Sequence, residues 1–433
     1  MPLLLPRIPA LRTLTSDGWL LFATRCLRLY AYGLISVILM LYLSRIGLSN
    51  TRIGLLLTLT LVGDTAVSLW LTTRADRLGR RRMLVVGAVL MIFAGIVFAT
   101  SGNFFLLLIA ATIGVISPSG NEVGPFLSVE QASLCHVVPS RHRTEVLAWY
   151  ALIGSLATAS GALTGGLLTQ ALLRALSTPL MAYRIVVGAY AFLGLLLAIL
   201  FTRLSPRVEV HVGRDNNEAS SVPMRWGLGR SHRVVLKLSA LFALDAFGGG
   251  FIIQSIAAYW FHVRFGIDLA ALGGIFFTAN LLAGASALVA AWVASKIGLI
   301  NTMVFTHLPS NVLLILVPLM PTAPLAILLL LLRFSISQMD VPTRQSYTMA
   351  VVQPDERSAA AGITGVARTT GAAVSPALAG LLLSHAALLN APFLLAGGLK
   401  IIYDLLLYRS FATLHPPDER KEPPTDGQAG VNP

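Results

Sequence analysis

Ala75-Asp76-Arg77-Leu78-Gly79-Arg80-Arg81-Arg82 is the stretch on which the reading of this chain turns. Long apolar runs flank it, 53–73 before and 83–100 after. A bilayer core cannot hold such a cluster of arginines with an aspartate. The octet therefore lies in water, at the turn between two helices that cross a membrane.

The rest of the sequence has the same texture. Apolar residues make up 55% of the chain and charged ones 12%, too few for the water-facing surface of a soluble protein of this length. About 20 apolar residues span a bilayer, and such runs recur at 18–43, 53–73, 83–100, 104–134, 145–170, 185–202, 234–261, 270–293, 301–320, 324–352, 358–384 and 391–410. A barrel would show short alternating segments instead. The expected fold class is an all-α membrane protein with twelve transmembrane helices.

The net charge of +13 invites a nucleic-acid reading, which the distribution of that charge excludes. Arg74, Arg77, Arg80, Arg81 and Arg82 crowd one turn, and Arg141 and Arg143 mark a second. Arg203, Arg207, Arg214, Arg225, Arg230, Arg233 and Lys237 mark a third. These alternate with turns nearly free of charge, at 101–103 and 321–324. The positive-inside rule then puts the basic turns and both termini in the cytoplasm, as a multi-pass protein of the cytoplasmic (inner) membrane whose surroundings are lipid. Cys26 and Cys135 fall inside apolar segments and make no disulfide framework. The first run lacks a small-residue cleavage site, so it stays as helix 1. From Pro416 the tail turns Pro-, Gly- and charge-rich and reads as disordered.

The chain also contains itself twice. Shifted by 219, Arg45-Ile46-Gly47 falls on Arg264-Phe265-Gly266, Gly54 on Gly273, Ala75 on Ala294 and Gly79 on Gly298. Shifted by 214, Gln131 falls on Gln345, Arg143 on Arg357 and Gly166-Leu167-Leu168 on Gly380-Leu381-Leu382. Six helices duplicated in parallel orientation give an N-terminal bundle at 1–202, a cytoplasmic linker at 203–233, a C-terminal bundle at 234–410 and a tail at 411–433.

Ionisable residues at membrane depth need partners or a watery cavity. Arg25, Arg28, Tyr32 and Ser36 share one face of helix 1. Helix 4 carries Glu122 and Glu130, with Pro118, Gly120 and Pro125 suggesting a break. Helix 7 carries Asp245, then Gly248-Gly249-Gly250, then Gln254, and the glycines invite local unwinding. Helix 10 carries Arg333, Ser337, Asp340, Arg344 and Tyr347, with a kink expected at Pro342. The candidate cavity and coupling residues are Arg25, Arg28, Tyr32, Glu122, Glu130, Asp245, Gln254, Asp340 and Arg344. Glu130 and Arg344 are repeat twins of opposite charge. Either they pair across the pseudo-twofold axis, or each closes a local pair, such as Asp340 with Arg344 one turn apart.

The opening octet resembles the loop signature of the major facilitator superfamily, roughly G-x-L-A-D-R-x-G-R-R, which joins the second and third transmembrane helices. Thr72 stands where the family usually has its first glycine. Parallel halves related by an axis along the membrane normal also belong to that family. Gly161-Ala162-Leu163-Thr164-Gly165-Gly166 resembles the G-P-x-x-G-G pattern of its drug–proton antiporters, with Ala162 in place of the proline. The twin Ser375-Pro376-Ala377-Leu378-Ala379-Gly380 keeps the proline. Ordinary tight helix packing explains the same small residues. The resemblance implies a major facilitator fold, with helices 1, 4, 7 and 10 lining a central cavity and helices 2 and 11 meeting at a gate. On that footing the candidate cytoplasmic gate residues are Asp64, Asp76, Arg77, Gly79, Arg80, Arg143, Arg357 and Arg368.

No enzyme constellation is present: no P-loop for ATP, no zinc spacing and no nucleophile–base pair. No cofactor or metal is expected. A gradient must supply the energy, and Glu122, Glu130, Asp245 and Asp340 lie at a depth suited to carrying protons. The function expected is secondary active transport of a small organic solute by a monomer, with proton-coupled export as the first reading by family analogy. The arginines suit an anionic or amphipathic solute, exported or taken up. A non-transporting solute sensor and a lipid flippase are the rival readings.

Overall fold

The computed structural model describes Leu11 and residues 14–122, 126–139, 142–209, 231–353 and 356–412. Most of the expected linker and nearly all of the tail lie outside these, as do Pro125, Arg141, Arg214, Arg225 and Arg230 and the side chains of Asp76, Arg77, His136 and Arg207. All regular structure among the described residues is helical: α1 (Ser16–Ser36), α2 (Leu39–Arg45), α3 (Asn50–Leu78), α4 (Arg80–Thr100), α5 (Phe104–Ile113), α6 (Phe126–Val137), α7 (Arg143–Ala175), α8 (Pro179–Thr202), α9 (His232–Gly250), α10 (Gln254–Phe265), α11 (Leu269–Ile297), α12 (Leu299–Leu316), α13 (Ala323–Phe334), α14 (Asp340–Ala350), α15 (Arg357–Leu383) and α16 (Ala391–Phe411), with short 3-10 turns between.

The all-helical membrane fold expected from the sequence is the one observed. Among the described residues, nine helices are long and apolar enough to cross a membrane, ten if α1 and α2 count as one span bent by 45°. The other two expected spans, 104–134 and 324–352, are each divided into two short helices, α5 with α6 and α13 with α14. Expected helices 1, 4, 7 and 10 are thus all interrupted near their middles, as α1/α2, α5/α6, α9/α10 and α13/α14, and the others run unbroken.

The interruptions have local causes. Between α5 and α6 the chain passes Pro118 and Gly120, whose φ of 73° suits glycine. Between α9 and α10 it unwinds straight after Gly248-Gly249-Gly250. A Cβ on Gly250 would stand 2.5 Å from the Ala372 carbonyl oxygen, so α9 reaches α15 there only because the position is bare. The bend between α1 and α2 carries no Gly or Pro signal. In the tenth span the break covers 335–339, ahead of Pro342, which corrects the expected kink. Pro342 is the third residue of α14, where a missing N–H leaves no helical bond unmade.

Within the N-terminal helices α1 packs on α7 and α4 on α8. Among the C-terminal helices the same pattern returns as α9 on α15 and α12 on α16. Besides a smaller contact of α2 with α10, two extensive contacts join the sets, α3 with α15 and α7 with α11. Both of these are built on the glycines that the duplication relates. A Cβ on Gly54 would lie 2.9 Å from the Gly380 Cα, and one on Gly166 would lie 2.8 Å from the Gly273 Cα. Gly161 and Gly165 of the same α7 motif face α1 instead, where a Cβ would meet the Tyr30 and Leu34 carbonyl oxygens at 2.0 and 2.2 Å. The motif therefore serves as close packing on two sides of one helix.

The hydrogen bonds that tie the two sets lie at the end of the bundle away from the basic turns. Asn50 donates to the Leu383 carbonyl at 2.9 Å, Thr51 and Ser384 share a bond at 2.9 Å, and the Ala377 N–H donates to Thr58 at 2.9 Å. Leu269 N–H donates to Gln170 at 3.3 Å, and Ser255 N–H to the Pro118 carbonyl at 3.2 Å. That end is sealed.

At the other end, Gly79 takes φ 100° between α3 and α4. Glu209 caps α4: its carboxylate accepts the Arg80 N–H at 2.6 Å and the Arg81 N–H at 3.2 Å. These N–H groups have no intrahelical partner, and the helix dipole favours an anion there. Glu356 does the matching work after the linker, accepting the Ser231 N–H at 2.9 Å. Glu209→Ala should lower stability by about 1 kcal/mol, read as a fall in thermal midpoint of the purified protein. An unchanged midpoint would make the cap irrelevant to stability.

Candidate solute cavity

The four interrupted spans converge on a cavity of about 540 Å³ between the two sets of helices. Arg25 and Glu122 line it on one side. Asp245, Arg333, Arg368 and Lys400 line it on the other. Gln254, the first residue of α10, closes it toward the sealed end, donating to Ser36 at 2.8 Å and accepting from Asn280 at 3.1 Å.

Behind the first wall is a balanced ionic cluster. Arg25 Nη1 meets Glu122 Oε1 at 2.5 Å. Arg28, wholly buried, meets Glu122 Oε2 at 3.1 Å and Glu130 Oε1 at 2.7 Å. Glu130 also accepts from Thr24 at 2.9 Å and from the Tyr150 hydroxyl. Two arginines thus face two carboxylates, and the Arg25 guanidinium stacks 4.3 Å over the Tyr150 ring.

The second wall is different. Asp245 accepts from Lys400 Nζ at 2.5 Å and from Arg344 Nη1 at 3.3 Å, and Arg344 Nη1 also meets Asp340 Oδ2 at 2.8 Å. His307 Nε2 stands 3.8 Å from Asp245 Oδ1, and its Nδ1 lies 2.8 Å from Asp404 Oδ1. Arg333 and Arg368 lie within electrostatic reach of Asp245 and Asp340. Neither has a carboxylate within 4.0 Å among the described residues. Among the described residues, the cavity therefore presents two guanidinium groups with no carboxylate in salt-bridge contact.

Of the residues singled out by sequence, Arg25, Glu122, Asp245, Gln254 and Arg368 line the cavity. Arg28, Glu130, Asp340 and Arg344 stand one layer behind them, and Tyr32 is fully buried against Tyr190. Glu130 and Arg344 do not meet. The local alternative holds, with Arg344 on Asp340 and Glu130 on Arg28, because each carboxylate finds a cation within its own set of helices. Arg143 and Arg357, repeat twins, each donate to the carbonyl of a preceding turn, Val138 at 3.3 Å and Met349 at 2.9 Å. Arg80 is buried beneath the Glu209 cap, Gly79 forms the turn, and Asp64 is half-buried in α3, accepting from Ser68 at 3.4 Å. The gate roles expected of Asp76 and Arg77 lie outside the described side chains. Sequence reading missed Lys400, His307, Asp404 and Tyr150. Lys400 with Asp404, and His307 with Asn311, stand four apart on one helix face, a spacing that could have found them in α16 and α12; Tyr150 carries no such signal.

A sequence model of the Major Facilitator Superfamily matches residues 21–339. An uncharacterised membrane protein of Saccharomyces cerevisiae is 34% identical over 417 residues, covering 90% of this chain and 93% of that protein. The quinolone resistance protein NorA of Staphylococcus aureus is similar over a shorter stretch, 25% identical over 138 residues, 32% of this chain and 34% of NorA. Among solved structures, the nucleoside transporter NupG (D323A mutant) superposes with a TM-score of 0.71 at 12% identity, covering 92% of this chain and all of that one.

Proposed function

The chain belongs to the major facilitator superfamily, a family of membrane transporters and not of enzymes, and from that premise we propose that it carries a small organic anion, with protons as the coupling ion. The observation that carries the reading is the pair of unclaimed guanidinium groups, Arg333 and Arg368, at the wall of a cavity sealed at one end. A buried cation without a partner is costly, and a carried anion would remove that cost each time it binds. The bundles at 1–202 and 234–410 would rock about the site, joined by the linker at 203–233. The basic turns and both termini would face the cytoplasm of a monomer in the cytoplasmic (inner) membrane, with the cavity on that side of the seal. A second reading, export in exchange for protons, draws on the similarity to NorA over a third of the chain. The unclaimed cations favour the anion reading.

Counterflow in proteoliposomes tests it, with labelled carboxylates and phosphate esters set against organic cations and neutral sugars. Anions are expected to exchange, and Arg368→Gln is expected to raise the half-saturating concentration about tenfold or more, the loss of one charge-assisted contact. Exchange of cations alone, unaffected by Arg333→Gln and Arg368→Gln, would defeat the reading.

A further inference from the structure

Lys400 faces two ways. It lines the cavity, and its ammonium donates to Asp245 at 2.5 Å. His307 stands on the other side of that carboxylate. Its ring lies between Asp245, 3.8 Å from Nε2, and Asp404, 2.8 Å from Nδ1. Asp404 has no exposed surface, and its second oxygen accepts from Asn311 at 2.8 Å. The groups facing His307 are Asp404 and the Tyr403 ring from α16, Asp245 from α9, and Asn311 on its own helix. Beyond Asp245 stand Lys400 of α16 and Arg344 of α14, the latter on Asp340.

We propose that His307 carries the coupling proton and that Lys400 links it to the solute. An organic anion draws Lys400 off Asp245, His307 takes up one proton between Asp245 and Asp404, and anion and proton cross the membrane together.

Charge is the first argument. With the imidazole neutral, Arg333, Arg344, Arg368 and Lys400 face Asp245, Asp340 and Asp404, an excess of one positive charge. One anion with one proton leaves that excess unchanged. The empty and the loaded carrier then present the same net charge to a low-dielectric interior, and neither meets an added desolvation cost in turning over. An anion alone, or a proton alone, would change it.

The sign of the coupling follows from the same contacts. A solute anion that occupies Lys400 leaves Asp245 negative beside the ring, which favours the imidazolium. By linkage the imidazolium favours the anion by the same factor. Proton and anion bind together rather than in exchange.

Among the described residues, Asp404 meets only the ring and Asn311 and shares the proton's site, Asp340 holds Arg344, and the remaining carboxylates are occupied. Asp245 holds two cations. Glu130 holds Arg28, Thr24 and Tyr150, and Glu122 holds two arginines. A proton on any of them would break charge-assisted hydrogen bonds, whereas the ring gains a second donor by taking one.

The proposal rests on the transport reading above, and its test has an arm that needs no solute. In 15N-histidine spectra of the full-length protein in lipid nanodiscs, the His307 signal is the one lost in His307→Gln. Should that variant not fold, substituting the other histidines identifies it. At pH 7, Lys400→Gln, which imitates withdrawal of the ammonium, is expected to raise the ratio of charged to neutral ring about tenfold, one pH unit of proton affinity. Asp404→Asn should lower it. A ratio that ignores both variants overturns the proposal. In proteoliposomes, an acidic exterior should drive accumulation of whichever anion shows counterflow, and His307→Gln should lose that accumulation together with the pH dependence of anion binding. Accumulation driven by an alkaline exterior, or intact in His307→Gln, also overturns it. Failure of every anion to exchange would instead defeat the transport reading and leave the spectra to decide the role of His307.

Discussion

Gly166→Val and Gly380→Val should each abolish net transport while leaving the protein in the membrane. Gly166 and Gly380 are repeat twins, and they build the two contacts that seal one end of the bundle. A Cβ at 166 would lie 2.2 Å from the Leu269 carbonyl oxygen, and a Cβ at 380 would lie 2.4 Å from that of Asn50. Both obstacles are backbone, which cannot swing aside as a side chain can. Overpacking of this kind costs about 1–3 kcal/mol. In a carrier that alternates, the cost falls on the state in which α7 and α11, and α3 and α15, approach so closely, as they do here. A difference of that size shifts a two-state balance by roughly 5- to 150-fold, enough to hold a carrier on one side of its cycle. Gly188→Ala and Gly398→Ala are the controls, since a Cβ at either position meets nothing within 4 Å. Uptake and membrane abundance, measured together, decide the matter. Full activity in both valine variants would show that the seal is not part of the cycle.

Arg28→Gln should empty the membrane of protein rather than change what it carries. Sequence spacing placed Arg28 in the cavity. In the structure it is sealed behind the wall, bound to Glu122 and Glu130 and stacked 4.7 Å over the Phe126 ring. Removing it leaves Glu130, itself without exposed surface, as an uncompensated charge. Breaking one partner of such a pair costs about 3–5 kcal/mol, comparable to the whole stability of many domains. Abundance should fall at least tenfold by quantitative blotting. Arg28→Gln combined with Glu130→Gln should recover much of it, since two neutral amides can hydrogen-bond each other. Normal abundance with altered solute affinity in the single variant would return Arg28 to the binding site.

What the sequence made legible was whatever repeats or breaks a pattern. The arginines at 80–82 marked a helix end outside the lipid, and the turn at Gly79 followed from that, although they form the first turn of α4 and Arg80 is buried. The register linking Gly54 to Gly273 and Gly166 to Gly380 marked helix contacts, because only close packing keeps a bare position in duplicate. The unwinding after Gly250 and the break before α6 were readable from Gly and Pro. The bend at Val37 was not, because no residue there announces it. The charge network was legible only in part. Periodicity reveals residues that share a face of one helix, so Arg333, Asp340 and Arg344 were found. Lys400, His307 and Asp404 come from α12 and α16, one or two to a helix, and only the packing of α9, α12, α14 and α16 brings them to Asp245. The pairing of Glu130 had two readings, and distance in the fold, which the repeat does not encode, chose the local one.

The central claim is that a single cavity opens to each side of the membrane in turn, and side-specific labelling of one cavity position tests it most directly. Ala372 lines the cavity on α15. In a background with Cys26 and Cys135 replaced by serine, Ala372→Cys in oriented membrane vesicles would be exposed to a membrane-impermeant maleimide from one side at a time. Reaction from both sides, with the rate from the sealed side rising in Gly166→Val and the rate from the other side falling, is the predicted result. Reaction from one side only, at every pH and with every anion that binds, would contradict alternating access and leave a receptor that binds its solute without moving it.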